Sequence, residues 1–367
     1  MSLRGVGLVT RLELTQRVRS GRWKASLAAW FLVLVAVTIG MVSTFGVLEA
    51  GREGVVVLHQ LVLFFVLCVG LIIAPALTAT SVNGDSRDGV LATVQATPLS
   101  PLALALGKLL AAWAASLAFL LVSLPVLLFT SVWSAMAPWS LPLAVAVIAA
   151  LLLAVCAAGL GISSLTPRTG ASTMLSYLLV AVLVVGLPMA FGLIAPALRE
   201  EVSVTMARPD WETLEAGSDE DLDALYADDG SFLDPDSIPC VETEYTEEIW
   251  HTRPVAPLLV AQPLVVLADS QPGVAGVDYA PMFLIRDGVE DAFTPATPPE
   301  SLNCAQWRER EKRGQEPWDY PDPPGTPGWR WIPGLLVNLL IGGAGFYATL
   351  RRLRVPAGRL PRGVRIA

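Results

Sequence analysis

LPLAVAVIAALLLAVCAAGLGISSL, residues 141–165, runs for 25 residues without a charge. A bilayer core about 30 Å thick takes roughly 20 apolar residues in helix, so this stretch is long enough to cross it. Five other runs meet or approach that length, at 25–45, 57–80, 109–133, 172–193 and 332–350, none with a charge inside. The whole chain agrees. It is 53% hydrophobic and only 16% charged, with a mean hydropathy of +0.56, where soluble domains carry about 25% charged residues. The reading is an all-α polytopic membrane protein with six transmembrane helices.

Charge assigns the sides. Residues 199–330 hold 28 of the 33 acidic residues and 9 of the 25 basic ones, a net −19, while everything else sums to +11. The segment before the first run carries Arg4, Arg11, Arg17, Arg19, Arg22 and Lys24 against one acid, Glu13. The last run is followed by six arginines and no acid. Positive charge beside spans marks the cytoplasmic face, so both termini are expected in the cytoplasm and residues 199–330 outside, in a cell-membrane protein. The first run is longer than a signal-peptide core and reads as a retained anchor. Nucleic acid is excluded as a partner, because the basic residues sit at membrane boundaries and form no phosphate-binding stripe.

The expected organisation is a cytoplasmic interfacial helix at 1–24, helices one to five at 25–198, an acidic extracytoplasmic domain at 199–330, the sixth helix at 331–350 and a basic cytoplasmic tail at 351–367. Trp133, Trp139, Trp329 and Trp331 suit an interfacial belt. Pro75, Pro125 and Pro188 interrupt spans, and each removes a helical hydrogen bond that neighbours must replace. Gly159, Gly161, Gly342, Gly343 and Gly345 allow close helix approach. The large insertion between helices five and six carries 16 of 28 prolines and reads as largely irregular, with Trp211, Trp250, Trp307 and Trp318 as anchors for a small core. Cys240 and Cys304 both fall in it, and an oxidising compartment permits a disulfide between them. Residues 255–268 are uncharged but too short to span, which leaves a re-entrant hairpin or a buried core segment.

Catalysis finds no support. The two histidines, His59 and His251, have no nucleophile or metal-ligand spacing. Gly107-Lys108 lacks the upstream glycine and the following Ser or Thr of a phosphate loop. No carboxylate or basic group lies inside the six apolar runs, so protonation within the membrane is not the energy source for transport, and a partner must supply it.

The connection between the second and third runs is the longest on the inner side: NGDSRDGVLATVQATPLSPLALALGK, residues 83–108. Val90, Leu91 and Val94 recur at helical spacing, and Asp85, Ser86 and Asp88 favour an amino end, so a short surface helix is expected over 86–96, stopping before Pro98. Ser100-Pro101 reads as cap and first turn of the next helix.

This segment resembles the signature of ABC-2 type transporter permeases. The matching residues are Asp85, Arg87 and Asp88, then Gly89-Val90-Leu91, Thr97-Pro98-Leu99-Ser100 and Gly107-Lys108. The basic stretch at 11–24 is similar to the family's interfacial connecting helix. The resemblance covers the membrane half of the chain and implies six helices of the type V exporter layout, with the large extracytoplasmic insertion as an addition. It implies a permease subunit of an ATP-binding cassette exporter, paired with a second permease copy or paralogue and with cytoplasmic ATPase subunits that bind ATP and Mg. This chain would hold no cofactor and no catalytic site. Residues 86–96 would be the coupling helix, with Asp85, Arg87, Asp88, Gly89, Leu91, Val94, Thr97, Pro98, Gly107 and Lys108 as ATPase-coupling residues. A hydrophobic or amphipathic cargo, such as a drug, lipid or peptide, suits an uncharged path. The reading from a different class is a membrane-anchored extracytoplasmic binding or sensory protein.

Overall fold

The computed structural model describes residues 3–44, 51–87, 99–134, 136–210, 236, 238–274, 277, 280–298, 301–313 and 327–354. Two units share them: residues 1–191, 257–291 and 323–367 form the first, and residues 192–256 with 292–322 form the second.

In the first unit, α1 (Leu3–Arg19) leads into α2 (Gly21–Thr44), α3 (Gly51–Thr78), the short α4 (Asn83–Arg87), α5 (Pro101–Ser134), α6 (Ser140–Leu165) and α7 (Thr169–Ala181). A π-helical turn at Val182–Gly186 joins α7 to α8 (Leu187–Ile194), and α13 (Trp331–Leu353) closes the unit. Among the described residues, six helical stretches are long and apolar enough to cross a membrane: Gly21–Thr44, Gly51–Arg87, Pro101–Ser134, Ser140–Leu165, Thr169–Leu198 and Trp331–Leu353. They make this a mostly helical, multi-pass membrane protein. α5 starts well before its apolar run because Ser100 caps it, its Oγ accepting from the Ala103 N–H at 3.2 Å, and Pro101 takes the first turn, where no N–H is needed.

α6 is the central helix. Two thirds of its apolar window is buried, against 17% for α2 and for the α7–α8 span. Its residues Ile148, Leu151 and Leu152 pack with Leu63, Leu67 and Leu71 of α3, all within 2% of full burial. Against α13 the contact is made by glycines. A Cβ on Gly345 would strike the backbone of Ala158, and one on Gly161 the backbone of Gly345. Only hydrogen at these positions lets the two backbones touch, so dispersion replaces the absent hydrophobic drive between lipid-bathed helices. Gly343 faces open space and takes no part in that contact.

Of the uncharged stretch 255–268, residues 257–268 fold with this unit, in α9 (Pro257–Val260) and α10 (Pro263–Asp269). Pro188 has no N–H, so the carbonyl four residues earlier, Val184, loses its helical donor. Gln262 supplies the replacement, its Nε2 donating to Val184 O at 3.3 Å while its Oε1 caps α10 from the Val265 N–H at 2.6 Å. Asn338 Nδ2 donates to Ala261 O at 2.8 Å. The turn between α9 and α10 is thereby tied to the middle of the fifth candidate span and to the third turn of the sixth. At its far end, buried Asp269 accepts the Trp331 N–H at 2.7 Å, satisfying an amino-terminal donor of α13. α11 (Pro281–Phe293) follows, and its Met282 N–H donates to Gln60 Oε1 of α3 at 2.8 Å.

The second unit adds β-structure that an all-α reading omits. β1 (Arg199–Pro209) pairs antiparallel with β2 (Cys240–Trp250), in register from Arg199↔Trp250 to Pro209↔Cys240. β-branched and aromatic residues (Val202, Val204, Val241, Thr243, Tyr245, Ile249) alternate with polar ones, which favours a half-buried ribbon. Leu302 adds a parallel bridge to Met206. α12 (Cys304–Lys312) starts at a full capping box between Asn303 and Gln306, and a disulfide joins Cys304 to Cys240. Its buried apolar residues include Val204, Ala207, Ile238 and Ile249. Trp250, expected as an anchor, is 41% exposed because its pleat position points away from Ile249. Trp211 and Trp318 lie outside the described residues. The interval 199–330 thus contributes to both units, its segments 257–291 and 323–330 belonging with the spans.

Candidate functional site

The turn from α3 into α4 is held from two directions. The N–H groups of Val82 and Asn83 donate to Ser163 Oγ of α6 at 3.1 and 3.3 Å, and Asn83 Nδ2 donates to Thr166 O at 3.3 Å. Ser172 Oγ of α7 donates to Ala79 O at 2.5 Å. These bonds satisfy backbone groups that a helix end leaves open. Their consequence is positional, since they set α4 against α6 and α7 and so set where Asp85 points.

Asp85 meets Lys108. The Lys108 ammonium lies 2.5 Å from Asp85 Oδ2 and 2.7 Å from Glu13 Oε1, and its side chain is only 4% exposed. One cation therefore joins α1, α4 and α5. The approach of α1 to α5 depends on the residue just before the lysine, because a Cβ on Gly107 would collide with the Val9 side chain. Thr10 Oγ1 donates to Gly107 O at 3.3 Å in the space so created.

Arg17, one turn beyond Glu13, donates from its guanidinium to Leu77 O at 3.1 Å. Burial pulls this guanidinium below its ordinary pKa, and the nearby Glu13 carboxylate opposes the shift. Glu13 and Asp85 together match Lys108 and Arg17, so the cluster is formally neutral. Buried charges persist only when paired and hydrogen-bonded in this way.

Each carboxylate of the cluster is engaged by the one ammonium. What the contacts fix is the relative position of α1, α4 and α5. Residues 88–98 leave from α4 and return just before α5, and the ion cluster ties both departure points to α1.

Of the residues singled out from sequence, Asp85, Gly107 and Lys108 meet here, and Arg87 is exposed at the last position of α4, beside them in sequence. Asp88, Gly89, Leu91, Val94, Thr97 and Pro98, with most of the helix expected over 86–96, lie outside the described residues. Glu13, Arg17, Ser163 and Ser172 were not singled out. Glu13 had left a signal as the lone acid in a basic stretch, and the two serines stand at the ends of apolar runs. Among the described residues no group of three His, Cys, Asp or Glu could hold a metal ion. Cys240 and Cys304 belong to the second unit, where their bond is structural. No family model matches this chain, and no curated protein matches it.

Proposed function

We propose that this chain is the permease subunit of an ATP-binding cassette exporter of ABC-2 type, moving a hydrophobic or amphipathic substrate across the cell membrane. The observation that carries the reading is the Lys108 cluster. A buried lysine bridging two carboxylates from different segments brackets the 88–98 connection, which is where a separate motor protein would push. Cytoplasmic ATPase subunits would bind ATP and Mg and dock on that connection, and α3, α5 and α1 would move with it. A second permease copy or paralogue would cover the sparsely buried faces of α2 and α7–α8, where Leu32, Met174 and Leu193 are each more than 60% exposed. The basic flanks support a topology in which both termini and the Lys108 cluster would face the cytoplasm and the acidic stretch from residue 199 would face outward.

Copurification tests this. The full chain, extracted in mild detergent, should retain an ATPase with a phosphate-binding loop, and Arg87→Glu should uncouple transport from ATP turnover while insertion into the membrane is unchanged. An extract that never retains an ATPase, or unchanged cargo-stimulated turnover in that variant, overturns the reading. It would favour instead a membrane-anchored binding or sensory protein, a reading that draws on the disulfide-bonded second unit as a folded element with a surface of its own.

A further inference from the structure

α1 divides its side chains between two tasks. Val9, Glu13 and Arg17 face protein, packed on Gly107, Lys108 and Leu77. Its other side opens onto a groove of about 620 Å³, whose walls include Val6, Leu14 and Val18 of α1 and Leu110 of α5, with Arg11 and Arg19 at its margins. Leu8 and Leu12, beside it, are 62% and 54% exposed. Unlike that of Arg17, the guanidinium of neither Arg11 nor Arg19 makes an ion pair or hydrogen bond with another described residue.

Two demands therefore coincide on one face. Apolar surface left in water costs about 25 cal/mol per Å², and two arginines whose backbone positions are about 12 Å apart along the helix carry long side chains that can converge on anionic oxygens. A soluble anion meets only the second demand, and a neutral hydrocarbon only the first. We infer that this groove binds an anionic phospholipid, its acyl chain along Val6, Leu14 and Val18 and its phosphate against Arg11 and Arg19. Planar guanidinium suits phosphate bidentately, and a basic amphipathic helix beside a span is where anionic leaflets are read. Glu13 sits two residues from Arg11, so the same helix that carries the ion cluster carries the lipid. The inference requires the membrane setting of α1 and not an ATPase, so a failed copurification leaves its test intact.

The test uses the full chain, delipidated in detergent and offered equal amounts of phosphatidylglycerol and phosphatidylcholine with identical acyl chains, retained lipid being counted by native mass spectrometry. Phosphatidylglycerol should be retained about tenfold over phosphatidylcholine at low salt. Arg11→Gln/Arg19→Gln should abolish the preference. Arg22→Gln/Lys24→Gln removes the same charge outside the groove and should leave it in place. Gly7→Leu, where an added Cβ meets open space at the groove wall, should lower retention of both lipids without lowering thermal stability. Equal retention of the two lipids, or equal loss in the two charge variants, overturns the site in favour of diffuse electrostatics. Unchanged retention in Gly7→Leu overturns the groove as the place of binding.

Discussion

Lys108 and Lys312 each hold a carboxylate at nearly the same distance, 2.7 Å to Glu13 and 2.6 Å to Asp236, yet the first lysine is 4% exposed and the second 42%. In the second unit the ions stay in water, where attraction between them is screened and offset by side-chain entropy. In the first, the ammonium is buried and its carboxylates are 21% and 33% exposed, so water screens the attraction less and the lysine depends on its partners. Equal geometry thus has unequal consequences. The exposed pairs decorate an already folded ribbon, while the buried cluster decides how α1, α4 and α5 meet.

The sharpest way to break this contrast is Lys108→Met, which strands Glu13 and Asp85 without their shared cation. A loss of about 3–5 kcal/mol is expected, read as thermal unfolding of the detergent-solubilised chain. Neutralising the carboxylates as well, with Glu13→Gln and Asp85→Asn, should restore much of that stability, since the uncompensated charge is gone. A single variant as stable as the parent would show that the cluster is not dry.

Within the second unit the strongest restraint is covalent, not ionic. Cys240→Ser/Cys304→Ser opens a loop spanning 64 residues of separation, and about 2–4 kcal/mol of that unit's stability should go with it. Limited proteolysis under oxidising and reducing conditions should show faster cleavage near β2 and α12, with the helical unit unaffected. Coincident loss of both units would mean they do not unfold separately.

Gln262→Leu probes a buried polar contact that is not ionic. It removes both the cap of α10 and the donor to Val184 O, for a cost of roughly 1–3 kcal/mol. Hydrogen exchange at Val265 should speed up beyond exchange in α6. Smallest of all should be Lys312→Ala, within about 1 kcal/mol of the parent. A larger effect there would collapse the distinction between the two regions.

How far these features were legible in the chain depended on their range. The spans and the Ser100-Pro101 start are local, written as apolar runs and a cap, and the structure places helices there. Pro188 announced a missing hydrogen bond, but nothing nearby in sequence pointed to Gln262 as the donor 78 residues on. Asp85 and Lys108, 23 positions apart, were named in one set of coupling residues but not as a contacting pair. Their meeting with Glu13 was hidden because residues 13 and 108 come together only after α1 packs on α5. β1 and β2 were obscured for another reason: acidic residues on one side of a ribbon look like a solvated run unless the partner strand, some 30 residues away, is already known.

What the amino-acid order determined alone was which segments leave water, because burial of apolar length is additive and needs no partner to be specified. Which polar groups then face one another was decided only in three dimensions. Hydrogen bonds and ion pairs act over a few ångströms, and it was the glycine contacts of α13 on α6 and of α5 on α1 that brought their partners within that distance.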